Sequence, residues 1–210
     1  MLTLNDYVVS IDPGKDGGVA FFLGGTVRRV FPLSTKSWSQ LAMWVHEVAT
    51  SYNKKYIFIE DVHAIYKARA NSTFSFGANV GEIKGFFRAF GLTDFYYIVP
   101  TDWQRAVTNK PLRPFTRGME KSAAEKIKEQ HKANLKLESI RAAQLFCPDI
   151  DLGNNDGLAD AVNIGRYGIR LILNGELHMA VKAKKKVVKK KVAPKAKKVA
   201  SKKKVAAKTY

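Results

Sequence analysis

The stretch Tyr7-Val8-Val9-Ser10-Ile11-Asp12-Pro13-Gly14-Lys15-Asp16-Gly17-Gly18-Val19-Ala20 decides the fold. An apolar, β-branched run ends in an aspartate. Pro13, Gly14, Gly17 and Gly18 then force a turn, and a second apolar run begins at Val19. This pattern spells a strand, a tight turn and an antiparallel return strand. Asp12 stands where the strand stops being covered, and nothing in strand chemistry calls for an acid there. It reads as a metal ligand to which the rest of the chain brings other acids.

Working outward, residues 7–11, 18–23 and 26–31 read as three strands, with Gly24-Gly25 as a hairpin turn and Pro32 as a stop. From Ser37 the period changes. Trp38, Leu41, Val45 and Val48 share a helical face that runs to about Tyr52. Tyr56-Ile57-Phe58-Ile59 is wholly apolar, as in a strand covered on both sides, and it too ends in an acid, Glu60. Residues 61–73 have no period and read as a loop. A helix follows, with Phe76, Val80, Ile83, Phe87 and Phe90 on one face and Gly77, Gly81 and Gly85 on another. Each helical glycine costs up to ~1 kcal/mol relative to alanine. Close packing on the sheet is the expected reason, with a subunit interface or a nucleic-acid backbone as alternatives.

Tyr96-Tyr97-Ile98-Val99 reads as a second buried-type strand, stopped by Pro100. Thr101 or Asp102 is placed to cap a short helix through Trp103 and Val107. Residues 108–118 form a loop. A helical pattern then runs from Met119 to Phe146, with Asn134 as the expected point of a break and a charged first half projecting into solvent. The last helix spans Asp156 to about Leu173. Three strands followed by alternating helices and strands predict an α/β domain, a mixed sheet flanked by helices, over residues 1–178. Residues 179–210 are a Lys, Ala and Val tail too charged to form a core, and are expected to be disordered.

The 210 residues, 46% hydrophobic, suffice for one full core. No apolar run approaches the ~18 residues of a membrane span. The N-terminus carries no basic region followed by an apolar signal stretch. The single cysteine, Cys147, precludes an internal disulfide and reads as a small core residue in a reducing compartment, so a cytoplasmic location is expected. The net charge of +18 is concentrated in the tail. Fourteen of the 36 basic residues fall within 181–210, where there is no acid, leaving 22 bases against 18 acids before it.

The chemistry lies in four carboxylates. Asn155-Asp156-Gly157-Leu158-Ala159-Asp160-Ala161 opens the last helix, and its two aspartates, four apart, share one face. Asp156 suits the helix dipole. Asp160 is set among Leu158, Ala159, Ala161 and Val162, where a carboxylate needs a partner or a metal. Asn163 lies on the same face and is placed to orient one of them. With Asp12 and Glu60 at strand ends and no His or Cys cluster, the set favours a hard, oxygen-preferring cation. Mg²⁺ or Mn²⁺ is expected, two ions ~4 Å apart being suited to in-line phosphoryl displacement.

At these residues the chain resembles a known family. Ile11-Asp12-Pro13-Gly14 with Gly18, Ile59-Glu60 at a strand end, and Asn155-Asp156-Gly157 with Asp160-Ala161 look like RuvC-type Holliday junction resolvases, most closely the phage-type members. Val99-Pro100 with Trp103, and Ser139 with Ala142-Ala143, Phe146 and Pro148, are shared stretches, and the glycine-rich helix resembles the one after the family's second acid. The resemblance covers residues 7–170. It implies an RNase H-like fold and a homodimer that nicks two opposed strands of a four-way DNA junction. Divalent metal, a water nucleophile, and 5′-phosphate and 3′-hydroxyl ends are implied with it. Asp12, Glu60, Asp156 and Asp160 fall on the family's metal-binding acids. Lys136 resembles a basic residue near the scissile phosphate. The last two acids are four apart here, where bacterial members usually have three. Gly14, Gly17 and Gly18 are then expected to keep side chains clear of that phosphate.

Other groups are placed to hold DNA. Lys67 and Arg69 follow Glu60 beside Tyr66, Phe74 and Phe76, a mixture suited to stacking on unpaired bases. Lys110, Arg113, Arg117 and Lys121 form a second basic stretch. His63 could carry a proton near the site. The lysine tail is expected to bind phosphate without sequence preference, and a nuclear-import address is an alternative reading of such runs. Two other functions compete. One is a non-catalytic, architectural junction binder. The other is a fragment of an actin-like ATPase or sugar kinase, which opens with a similar hairpin but needs a second one that this chain lacks.

Overall fold

Five strands form one sheet in the computed structural model, which describes residues 2–35, 38–61, 70–109 and 111–177. β1 (Tyr7–Asp12), β2 (Gly18–Leu23) and β3 (Thr26–Pro32) make the antiparallel meander demanded by the glycine turns. Gly24 and Gly25 supply φ of 59° and 87°, which the tight β2–β3 turn requires. β4 (Lys55–Glu60) pairs parallel with β1, and β5 (Phe95–Ile98) parallel with β4, giving the order β3-β2-β1-β4-β5. This is the expected α/β mixed sheet flanked by helices. The tail from residue 179 lies outside the described residues.

Five helices cover the sheet: α1 (Trp38–Thr50), α2 (Ala70–Ala89), α3 (Pro100–Val107), α4 (Lys121–Phe146) and α5 (Asp156–Leu173). Their ends differ from the sequence reading in instructive ways. Helix α2 begins at Ala70, inside the stretch that reads as a loop. Val99, not Thr101 or Asp102, is the N-cap of α3, with no side-chain cap. Pro100 occupies the first turn, where a missing N–H leaves no helical bond unmade. Helix α4 runs unbroken through Asn134, whose Oδ1 accepts from Gln130 Nε2 at 3.0 Å, one turn back. Pro32 closes β3 opposite Gly18 instead of stopping it sooner, as an edge strand allows. β5 is also an edge, and its Tyr97 is 37% exposed, so the strand is not covered on both sides.

Alternation along the strands sorts the core into two layers. Val8, Ala20, Phe22 and Phe58 pack with Trp103, Ala143 and the inner face of α5. Val9, Ile11, Val19, Phe21, Ile57 and Ile59 pack on the other side with α1 and with Ile83 and Phe87 of α2. Helix α5 lies especially close to the sheet. A Cβ at Gly165 would fall 2.3 Å from the Phe22 ring and 2.6 Å from Ser10 Oγ, and one at Gly168 would fall 2.4 Å from the Phe58 ring. Ser10 is fully buried at this contact and donates to the Ala161 carbonyl at 2.6 Å.

The glycines expected to serve close packing are not the ones that do. Among the described residues nothing lies within 4 Å of a Cβ built at Gly77, Gly81 or Gly85. The periodicity of α2 is real, but its apolar face takes the sheet and its glycine face points away. Gly165→Ala is therefore expected to destabilise the chain by about 1–3 kcal/mol through overpacking. Gly81→Ala should instead stabilise it by up to ~1 kcal/mol through helix propensity. Urea unfolding of both variants checks the opposite signs.

Candidate active site

Asp12 is the last residue of β1 and Glu60 the last of β4. Because side chains alternate, Asp12 shares a face with Val8 and Ser10, and Glu60 shares one with Phe58, the partner of Ser10 in the register. The two strands are parallel, so both carboxylates leave the same end of the sheet, on the side covered by α5.

The start of α5 is locked to that end. Gly17 and Gly157 form an isolated β-bridge. A Cβ at Gly157 would lie 2.0 Å from the Asp16 carbonyl oxygen, one at Gly17 would lie 2.1 Å from that of Asp12, and one at Gly18 would lie 2.9 Å from that of Gly157. Gly17 thus makes room within its own turn, and Gly18 and Gly157 let that turn and the helix start meet. Gly14 alone faces the carboxylate. Its N–H donates to Asp12 Oδ1 at 2.9 Å, and a Cβ there would come within 3.2 Å of the same oxygen. Asn155 caps α5 by accepting from Leu158 N–H at 3.1 Å. Asp156 and Asp160, in the first turns, are in this way carried to the two strand-end acids.

Each of three acids is held by a different neighbour. The Trp103 indole N–H donates to Glu60 Oε1 at 2.9 Å from a ring that is 1% exposed. Ser139 Oγ, on α4, donates to Asp160 Oδ1. Lys136, one turn earlier on α4, pairs with Asp156 Oδ2 at 2.7 Å. Asn163 donates through Nδ2 to the Ser139 carbonyl at 2.9 Å and to Ser139 Oγ at 3.0 Å. The roles of Trp103 and Ser139 escape a reading of residues alone. Their only signal is their place in the two shared stretches, which says nothing of which acid each one meets.

Three of the four carboxyls are shifted upward by their surroundings. Burial pushes the Asp12 carboxyl up to about 6, opposed by the Gly14 N–H and reinforced by the charge of Asp156. Burial, then the charge of Asp12, push Glu60 up to about 8, against the Trp103 N–H, with Asp160 adding to the rise. Burial pushes Asp160 up to about 7; Ser139 and Lys136 lower it, and Asp12 and Asp156 raise it. The Lys136 ammonium is pushed up chiefly by its bond to Asp156. Among the described residues no three His, Cys, Asp or Glu side chains close around a cation as they stand. The donor set nonetheless fits one. It is oxygen only, its members repel one another, and a divalent cation is what relieves that repulsion.

Of the residues expected to hold DNA, Lys136 adjoins this site with half its side chain exposed. Arg113, Arg117 and Lys121 are exposed on the 111–120 segment and the start of α4. Tyr66, Lys67, Arg69, Lys110, His63 and the side chain of Phe74 lie outside the described residues. A groove of about 570 Å³ runs past Thr101, Arg105, Thr108, Asn109, Leu112 and Arg113. Thr108 also lines a small cavity of about 80 Å³ with Trp103, Lys136, Ser139 and Asp160, so it stands between the groove and Asp160. Arg105 is a cation lining this groove that the sequence reading does not single out.

The chain is similar to the T. thermophilus RuvC solved in complex with a Holliday junction substrate. The TM-score is 0.51 at 14% identity, over 82% of this chain and 98% of that one. A second Thermus thermophilus RuvC structure aligns with a TM-score of 0.47 at 16% identity, over 81% and 97%. No protein-family model and no curated protein sequence matches the chain. The fold is RuvC-like, as the resemblance implies.

The raised carboxyl pKa values set a pH dependence for the metal-free chain. The folded state keeps protons that the unfolded state loses near its ordinary values of about 4. Stability should therefore fall as pH rises from about 4, the loss levelling off as pH passes the folded values of about 6 to about 8. In EDTA near pH 8, Asp160→Asn is expected to melt above the parent, by about 2–4 °C for each kcal/mol relieved, and to come close to it near pH 4, where the unfolded carboxyl is also largely protonated. Thermal melts at the two pH values check this. An equal offset at both would show that no charge is being relieved.

Proposed function

We propose that this chain is a metal-dependent endodeoxyribonuclease that resolves four-way or otherwise branched DNA by paired nicks, acting as a homodimer. One observation carries the reading. Two strand-end acids and two helix-start acids lie at one end of a RuvC-like sheet, and Asp12, Glu60 and Asp160 are pushed up by burial and by the charge of neighbouring acids. The T. thermophilus structure of this fold holds a Holliday junction substrate, which supports the choice of DNA.

Asp12, Glu60, Asp156 and Asp160 would hold Mg²⁺ or Mn²⁺, two ions per site, supplying the positive charge that ionises a water and stabilises the leaving oxygen. Asp12 and Glu60 present their oxygens from rigid strand ends. Lys136 is positioned to exchange its bond to Asp156 for one to the scissile phosphate. Arg105 and Arg113 guide one strand along the groove, and Arg117 and Lys121 extend that basic surface. Tyr66, Lys67, Arg69 and Phe74 are assigned to the junction centre, where unpaired bases accept stacking. The lysine tail adds phosphate contacts without sequence preference. The buried Cys147 fits a reducing cytoplasm.

On a synthetic four-way junction in Mg²⁺, the chain is expected to leave paired nicks with 5′-phosphate ends. Asp160→Asn should bind the junction as tightly and cut it at least ~100-fold more slowly, the scale of losing one charge-stabilising group at a reaction centre. Undiminished cutting by that variant would sink the assignment, and tight binding without cutting in any divalent ion would favour an architectural role. A chain ending at Leu177 should bind with a shallower salt dependence, each lost phosphate contact reducing the log–log slope by about 0.9, and should cut at the same positions.

A further inference from the structure

The hydrogen bonds behind Asp160 have a direction that follows from chemistry. A carbonyl oxygen can only accept, so the Asn163 group 2.9 Å from the Ser139 carbonyl is the amide nitrogen. The same nitrogen lies 3.0 Å from Ser139 Oγ and donates to it. The Ser139 hydroxyl therefore spends a lone pair on Asn163 and directs its proton at Asp160 Oδ1. The two bonds through the Ser139 hydroxyl run in one direction, from Asn163 to the carboxylate.

The arrangement is costly in a way that a purely structural contact would not be. Asn163 is 0% exposed, and among the described residues its Oδ1 has no hydrogen-bond partner. An orphaned buried acceptor is destabilising, and a leucine of similar shape would remove it. What leucine would also remove is the donor to Ser139. A serine inside a helix readily turns its hydroxyl to the carbonyl one turn back, here that of Leu135. Asn163 occupies the lone pair and holds the hydroxyl away from that alternative. Ser139 itself is only 5% exposed.

We propose that Ser139 and Asn163 are positioning residues for the metal site: Asn163 orients the Ser139 hydroxyl, which holds one oxygen of Asp160 and leaves the other to face a cation. The inference rests on the reading of Asp160 as a ligand. It departs from the simpler expectation that Asn163 touches an acid itself. Outer partners of this kind affect metal affinity by about 10–100-fold when removed.

The test is Mn²⁺ binding to the full chain, read by electron paramagnetic resonance without DNA, with melts in EDTA beside it. Ser139→Ala and Asn163→Leu are each expected to weaken Mn²⁺ binding by about 10–100-fold. Ser139→Thr, which returns the hydroxyl, should recover most of the loss. Asn163→Leu should melt no lower than the parent, because it deletes the orphaned acceptor. In an Asp160→Asn background neither substitution should weaken binding further. If Asp160→Asn weakens Mn²⁺ binding but Ser139→Ala and Asn163→Leu do not, the relay is wrong and the carboxylate site stands. If Asp160→Asn leaves Mn²⁺ binding unchanged, the assignment of Asp160 as a ligand is itself overturned.

Discussion

Helix α5 can rest on the sheet only because residues 157, 165 and 168 carry no side chain. Interiors are packed to crystal density, so a single Cβ at 2.0–2.4 Å from its nearest neighbour cannot be absorbed without moving the helix or the strands beneath it. The contact at Gly157 fixes where the helix begins relative to the β1–β2 turn. The contacts at Gly165 and Gly168 fix how far it stands from Phe22 and Phe58. With both set, Asp156 and Asp160 have nowhere to go except the sheet end where Asp12 and Glu60 finish their strands.

That placement has an electrostatic price. Four carboxylates in one half-buried pocket oppose folding, and three of them keep protons well above the ordinary carboxylate range. The protein offsets part of this with single donors from outside the sheet: Gly14 for Asp12, Trp103 for Glu60, Ser139 for Asp160 and Lys136 for Asp156. Two of these come from one turn of α4, which makes that helix a backing layer for α5. The pocket is electrostatically unfinished without a cation, and this strain is the physical link between the fold and the proposed chemistry.

Much of this was legible in the residues. Strands and helices announce themselves by period, and an acid at the end of an apolar, β-branched run is out of place enough to mark a site. Asp12 and Glu60 could be named for that reason, and the Asp156 and Asp160 pair for its shared helix face and the apolar residues around Asp160. The helix glycines misled, because a glycine in a sequence signals that no side chain is present without saying what stands opposite. Among the described residues nothing stands against Gly77, Gly81 and Gly85, whereas Gly165 and Gly168, unremarkable in the sequence, bear the closest contacts between helix and sheet. The start of α3 differs from its sequence pattern for a related reason: Pro100 already occupies the first turn, so Thr101 and Asp102 have no cap to make.

The sequence by itself determined the element order, the mixed α/β class, the charge division between domain and tail, and the identity of the four acids. These depend on local period, backbone stiffness and side-chain chemistry, which neighbouring residues express without help. Only the tertiary structure decided that Trp103 holds Glu60, that Ser139 stands between Asn163 and Asp160, and that Gly17 meets Gly157. Those pairs are separated by 21 to 140 residues or belong to different elements. Their meeting is set by how closely α5 and α4 can approach the sheet, a three-dimensional steric condition that no local pattern encodes.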